Sequence, residues 1–170
     1  VNTRATAAVA TLAALALAAP VLATTTAGAT VNLPAKLAAQ IASARHGRVA
    51  VLLPSSIRAD VPAARLHASG GETANGYDIR LAYAPACDDG TACFFAEFQG
   101  ATVTREPGIP VALAHGITGN FYAIRCGASC GPASITWTEG GARYGVQYVL
   151  GARASMVALA DSAIDAGPRR

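Results

Sequence analysis

Tyr77-Asp-Ile-Arg-Leu-Ala-Tyr83 changes character at every step. Tyr77, Ile79, Leu81 and Tyr83 fall on one side of an extended chain, and Asp78, Arg80 and Ala82 on the other. Successive side chains of a strand point to opposite faces, so this stretch predicts a half-buried β-strand. The period continues downstream. Phe94, Ala96 and Phe98 alternate with Phe95, Glu97 and Gln99, and Gly100 is expected to allow a tight reversal into Ala101 to Thr104. Ile109 to Leu113 and Ile117 to Ile124 read as further strands around Gly116. Ile135 and Trp137 alternate with Ser134, Thr136 and Thr138, and Glu139-Gly-Gly141 turns the chain into Tyr144, Val146, Tyr148 and Leu150. Gly70-Gly71, Asn75-Gly76 and Pro107-Gly108 read as turns. Connections this short join antiparallel neighbours, because parallel pairing needs long crossovers.

Helical patterns flank this region. Pro34 opens one that runs to Arg45 with Leu37, Ala38 and Ile41 on one face, and Gly47 suits its C-terminal cap. A second spans Ala154 to Asp165, with Met156, Leu159, Ala160, Ala163 and Ile164 in one apolar stripe ended by Gly167-Pro168. Between the first helix and the strands, Val49 to Leu53 reads as a strand stopped by Pro54, and Pro54 to Pro62 as loop. The expected fold is α+β: an antiparallel meander of about six to eight strands with an N-terminal and a C-terminal helix packed on it.

The N-terminal stretch reads as a secretory leader. Arg4 precedes the uncharged apolar run Ala5 to Ala19, Pro20 breaks it, and Val21-Leu-Ala23 suits a cleavage site. The run is shorter than the ~20 residues of a membrane span, so no span is expected after cleavage. The expected organisation is a signal peptide over 1–23, a flexible spacer over 24–33 and one domain over 34–170. Val1 in place of Met suggests an alternative start codon and hence a bacterial source. The expected location is periplasmic or secreted.

The chain has 170 residues, 13 Lys+Arg against 10 Asp+Glu, and only 14% charged residues. Removing residues 1–23 takes away Arg4 alone, leaving 12 − 10 = +2. Nucleic-acid binding needs a dense basic stripe, and none is present. The four cysteines are Cys87, Cys93, Cys126 and Cys130. An even count in an exported chain implies disulfides. Three pairings are open. Glycines inside both short intervals favour Cys87 with Cys93 and Cys126 with Cys130, whereas chain entropy favours a crossed pairing. The spacings C-x5-C and C-x3-C match neither a zinc ribbon nor a C-x-x-C redox motif.

Ile135-Thr-Trp-Thr-Glu-Gly-Gly-Ala-Arg-Tyr144, followed by Met156-Val-Ala-Leu-Ala-Asp-Ser-Ala-Ile164, resembles the end of an exported bacterial domain family of unknown function. The Cys126-Gly-Ala-Ser-Cys130 turn is similar to those of other secreted bacterial proteins. The order of elements is similar to sheet-and-helix layouts of the PsbP and LolA/RseB types. The resemblance covers roughly the last third of the chain and implies a fold more than an activity.

Gly127-Ala-Ser129-Cys-Gly131 fits G-x-S-x-G, but a nucleophile elbow needs a helix after the serine and a histidine later in the chain. Pro132 and a strand follow instead, and His46, His67 and His115 all precede Ser129. His115 lies in a turn pattern, and no metal or cofactor motif is found; Asp88-Asp-Gly90 lacks EF-hand spacing. Arg80, Glu97, Arg125, Arg143 and Gln147 fall on the polar faces of predicted strands, where an uncovered sheet would offer a surface to an anionic partner. The expected function is therefore a non-enzymatic binding or envelope-associated domain, with an envelope protein or a small ligand as partner. The alternative is a small secreted hydrolase using Ser129 or His115.

Overall fold

A computed structural model describes residues 28–87, 91–102 and 108–169. The proposed leader and Asp88-Asp-Gly90 lie outside the described residues. The chain enters through β1 (Ala29–Asn32), so the stretch read as a spacer contains a strand. Asn32 caps the next turn, its Oδ1 accepting the Ala35 N–H at 2.9 Å. The expected first helix is present in two pieces, α1 (Leu33–Lys36) and α2 (Ala38–Ala44), broken at Leu37.

Two readings between this helix and the sheet need correction. Val49 to Leu53 is not a strand but a buried extended segment with one bridge, from Val51 to Arg169. Ser56–Ala59, read as loop, is β2, antiparallel to β1. Ile57 and Ala59 are buried and Ser56 and Arg58 exposed, a period-two pattern too short to stand out beside two prolines.

The expected α+β architecture is what the structure shows. A seven-stranded antiparallel sheet carries a helical segment from each end of the described chain. Its strands are β3 (His67–Thr73), β4 (Gly76–Ala82), β5 (Phe94–Ala101), β6 (Ile109–Ala112), β7 (Thr118–Tyr122), β10 (Ala133–Glu139) and β11 (Ala142–Tyr148). The short pair β8 (Arg125–Cys126) and β9 (Cys130–Gly131) makes a separate hairpin. The spatial order is β3-β4-β5-β11-β10-β7-β6. The chain meanders through three strands, jumps to the far edge, and works back until β11 lies beside β5.

Glycines account for two differences from expectation. Gly70-Gly71 is no turn; both lie inside β3, with φ of 86° and 158°. A Cβ on Gly71 would meet Ser43 Oγ at 2.5 Å, so the missing side chain lets α2 pack closely on β3. Gly100 does not reverse the chain, and β5 continues through Ala101. It stands opposite Tyr77, and a Cβ there would be 2.3 Å from the Tyr77 ring. The glycine admits an aromatic ring that lies over it. A further shift comes from a bulge: Leu81 pairs with Ala96 but Ala82 with Phe94. The extra residue, Phe95, thereby joins the core, edge-on to Tyr83 and Tyr148.

The buried face of the sheet carries Tyr77, Ile79, Leu81, Phe98, Val146 and Ile135. It is covered by α2, by the 49–53 segment and by α3 (Arg153–Ala166). The last helix presents the expected stripe of Met156, Leu159, Ala160, Ala163 and Ile164 to the core. Gly167, at φ 64°, ends it by donating its N–H to Ile164 O.

Candidate polar groove on the sheet

Alternation leaves the opposite face to the polar side chains. Register aligns them in cross-strand rows. One row runs Ser69, Arg80, Glu97, Gln147, Ser134, Tyr122 across six strands. The next runs Asp78, Gln99, Gly145, Thr136, Asn120. Arg143 is two residues from Gly145 on the same strand, and so on the same face.

The structure thus brings Arg80, Glu97 and Gln147 into direct contact. Arg80 Nε lies 2.9 Å from Glu97 Oε2 and 3.2 Å from Asp78 Oδ1. The amides of Gln99 and Gln147 both donate to Glu97 Oε1, at 3.2 and 3.1 Å. Glu97 is 8% exposed. Burial, with the Asp78 carboxylate adding to it, pushes the Glu97 carboxyl above its usual range; Arg80 opposes both. Glu97 is therefore a buried anchor rather than a surface contact.

Beside this network lies a groove of about 390 Å³. Gly145 lines it between Gln99 on one neighbouring strand and Thr136 on the other. A Cβ on Gly145 would meet Gln99 Cγ at 3.1 Å, so the glycine makes room for that side chain. Arg143 and Gln147 line it, as does Arg125 on the β8–β9 hairpin. The Cys126–Cys130 disulfide closes that hairpin next to Arg125, and the Cys87–Cys93 disulfide closes the loop before β5. Both pairings are the local ones. Among the described residues, the lining holds two arginines and no acid.

Of the five residues expected on a binding face, Arg125, Arg143 and Gln147 line the groove, and Arg80 and Glu97 lie beside it. Sequence reasoning missed Gly145, Gln99, Ser134, Thr136 and Tyr122 in the lining. The available signal was a glycine in the middle of the Tyr144-to-Tyr148 alternation, a position that often marks close approach of another group.

A larger cleft of about 580 Å³ separates β2 from α3. Its polar groups are largely engaged within the protein. Asp60 accepts from the Tyr83 hydroxyl at 2.8 Å, the Arg58 carbonyl from Tyr148 at 2.6 Å, and Ser162 Oγ from the Ser55 N–H at 3.1 Å. The cleft is lined by one charged residue of each sign, Arg58 and Asp60, whereas the described lining of the groove on the sheet carries two arginines.

Ser129 and His115 stand at opposite ends of β7. Ser129 is exposed inside the disulfide ring, and its carbonyl accepts the Gly127 N–H at 2.9 Å. His115, at φ 56°, places Nε2 3.2 Å from Asp165 Oδ1 on α3. The fold does not bring the two together. Among the described residues no group of three or more His, Cys, Asp and Glu gathers to hold a metal, and no helix is long and apolar enough to cross a membrane. Comparison of the chain with family models, with curated proteins and with solved structures gives no match.

Proposed function

We propose that this protein is an exported, disulfide-stapled binding domain that takes a small anionic ligand on the polar face of its sheet. The observation that carries this reading is the groove beside Gly145, which among the described residues is lined by Arg125 and Arg143 and by no acid. Low local dielectric in a concave site strengthens attraction between such guanidinium groups and an anion. The pair of disulfides supports the oxidising location, as does the leader-like sequence over residues 1–23. The likeness to exported bacterial sheet-and-helix domains belongs to the same reading.

The test is a nuclear magnetic resonance titration of the oxidised protein with citrate as probe. Shifts of the Gly145, Gln147 and Thr136 amides are expected. Shifts confined to other surfaces, or none at all, refute the groove as an anion site. Export is tested by the mass of the protein recovered outside the cytoplasm of a bacterial host. A mature form beginning at Thr24 is expected, and recovery only as an intact, reduced chain in the cytosol refutes it.

A further inference from the structure

We infer that the Cys126–Cys130 bridge is a thiol–disulfide exchange site, and that opening it withdraws Arg125 from the groove. The exchange stands without the anion-binding reading; the effect on the groove rests on it. Access supplies the first half of the argument. Every residue from Arg125 to Cys130 is exposed, whereas Cys87 and Cys93 are half-buried. An attacking thiolate needs an open path to sulfur, and exposed bridges are the labile ones. Charge points the same way. Arg125 precedes Cys126, and the chain has no acid between Ile109 and Thr138. Cys87, by contrast, is followed by Asp88 and Asp89. A neighbouring cation stabilises the thiolate that leaves, and carboxylates oppose it.

What the bridge holds supplies the second half. Among the described strands, β8 and β9 pair with each other alone, Arg125 opposite Gly131 and Cys126 opposite Cys130. The Gly127 N–H donates to Ser129 O at 2.9 Å inside the turn. A Cβ on Gly127 would meet nothing within 4 Å, so the turn stands clear of the sheet. An isolated hairpin is marginal in water even when far longer than two residue pairs. The covalent link therefore supplies what strand pairing does not. It keeps Arg125 opposite Gly131, and both line the groove. Cutting it frees that bank of the groove, while β10 and β11 remain paired along Ala133 to Glu139.

The co-reactant is a dithiol. One of its sulfurs, as thiolate, attacks Sγ of Cys126 or Cys130; the S–S bond breaks, a mixed disulfide forms, and the other cysteine leaves as thiolate and takes up a proton. The second thiol of the co-reactant loses its proton and attacks the mixed disulfide, releasing the remaining cysteine. Two electrons pass to the bridge. The hairpin ends with two thiols, and the dithiol departs as its own disulfide.

The test equilibrates the oxidised protein with graded ratios of reduced to oxidised dithiothreitol, traps free thiols with iodoacetamide and maps the peptides. Cys126 and Cys130 are expected to be trapped at a ratio at least about tenfold lower than Cys87 and Cys93. Simultaneous opening, or Cys87–Cys93 opening first, overturns the exchange site. In protein opened at Cys126–Cys130 alone, amide resonances of residues 125–131 should move while those of β10 and β11 hold; a shift of the whole sheet shows a structural staple and overturns the inference. Citrate affinity should fall about tenfold on that opening. Arg125→Gln should weaken citrate as much in the oxidised protein, and should leave no further loss on reduction. A citrate affinity that ignores reduction while responding to Arg125→Gln overturns the coupling. Failure of citrate to bind the oxidised wild type overturns the anion reading and the coupling with it, and the trapping order then judges the exchange site alone.

Discussion

The Tyr77 hydroxyl holds the backbone of Leu52 by both of its polar groups. It donates to the Leu52 carbonyl at 2.9 Å and accepts from the Leu52 N–H at 3.2 Å. One side chain thus stands in for a strand neighbour that the 49–53 segment lacks. Burial pushes the hydroxyl's pKa well up, so it remains a donor at any ordinary pH. Tyr77→Phe keeps the ring and strands two buried backbone groups. The expected loss is about 1–3 kcal/mol by chemical denaturation. A loss below ~0.5 kcal/mol, within the range of ordinary surface changes, is the result that refutes the pairing.

Glu97 gives a pH signature. Its folded-state pKa lies above the unfolded one, so ionising it costs stability. That cost is absent below the ordinary carboxylate range and fully present once pH has risen through the folded-state value. Glu97→Gln is expected to melt at or above the wild-type temperature at neutral pH, with the difference closing near about pH 4. A variant that melts lower at neutral pH and recovers on acidification reverses the sign, and shows that the Arg80 pair outweighs desolvation.

The two disulfides are separable. Peptide mapping without reductant should recover Cys87 linked to Cys93 and Cys126 linked to Cys130. Replacing Cys126 and Cys130 by Ser opens a small ring and is expected to cost about 2 kcal/mol. It should also weaken anion binding, because the ring adjoins Arg125. Unchanged affinity in that variant separates the hairpin from the site.

At the outer edge of the sheet, Leu113 donates to Ile117 O, so alternation turns the backbone nitrogen of Pro110 away from β7. Proline there offers no N–H to a further strand. Ile109 beside it is 52% exposed. Pro110→Thr restores the donor and is expected to promote self-association, read by sedimentation velocity. A variant that stays at the wild-type sedimentation coefficient shows that the proline has no such role.

The sheet was legible because Tyr77 to Tyr83 and Ser134 to Thr138 keep a clean period of two. The helix over Ala154 to Asp165 was legible because its stripe and its Gly-Pro stop coincide. What failed shares one physical cause. Gly70, Gly71 and Gly100 look like turns in one dimension, yet each serves a neighbour that is distant in sequence. Ser56 to Ala59 is too brief for periodicity, and only pairing with β1 makes it a strand. The polar face of the sheet was readable position by position, but its hollow was not. Gly145 takes on its role only once the Gln99 side chain is laid against it from the neighbouring strand.

The strand order has a mechanical result. Three strands come from the first half of the sheet and four from the second, and these blocks are laced together where β5 meets β11. The groove straddles that seam, with Gln99 on one bank and Gly145, Thr136 and Arg143 on the other. Any occupant therefore acts as a rivet through the joint, and amide exchange along β5 and β11 should slow when it is in place.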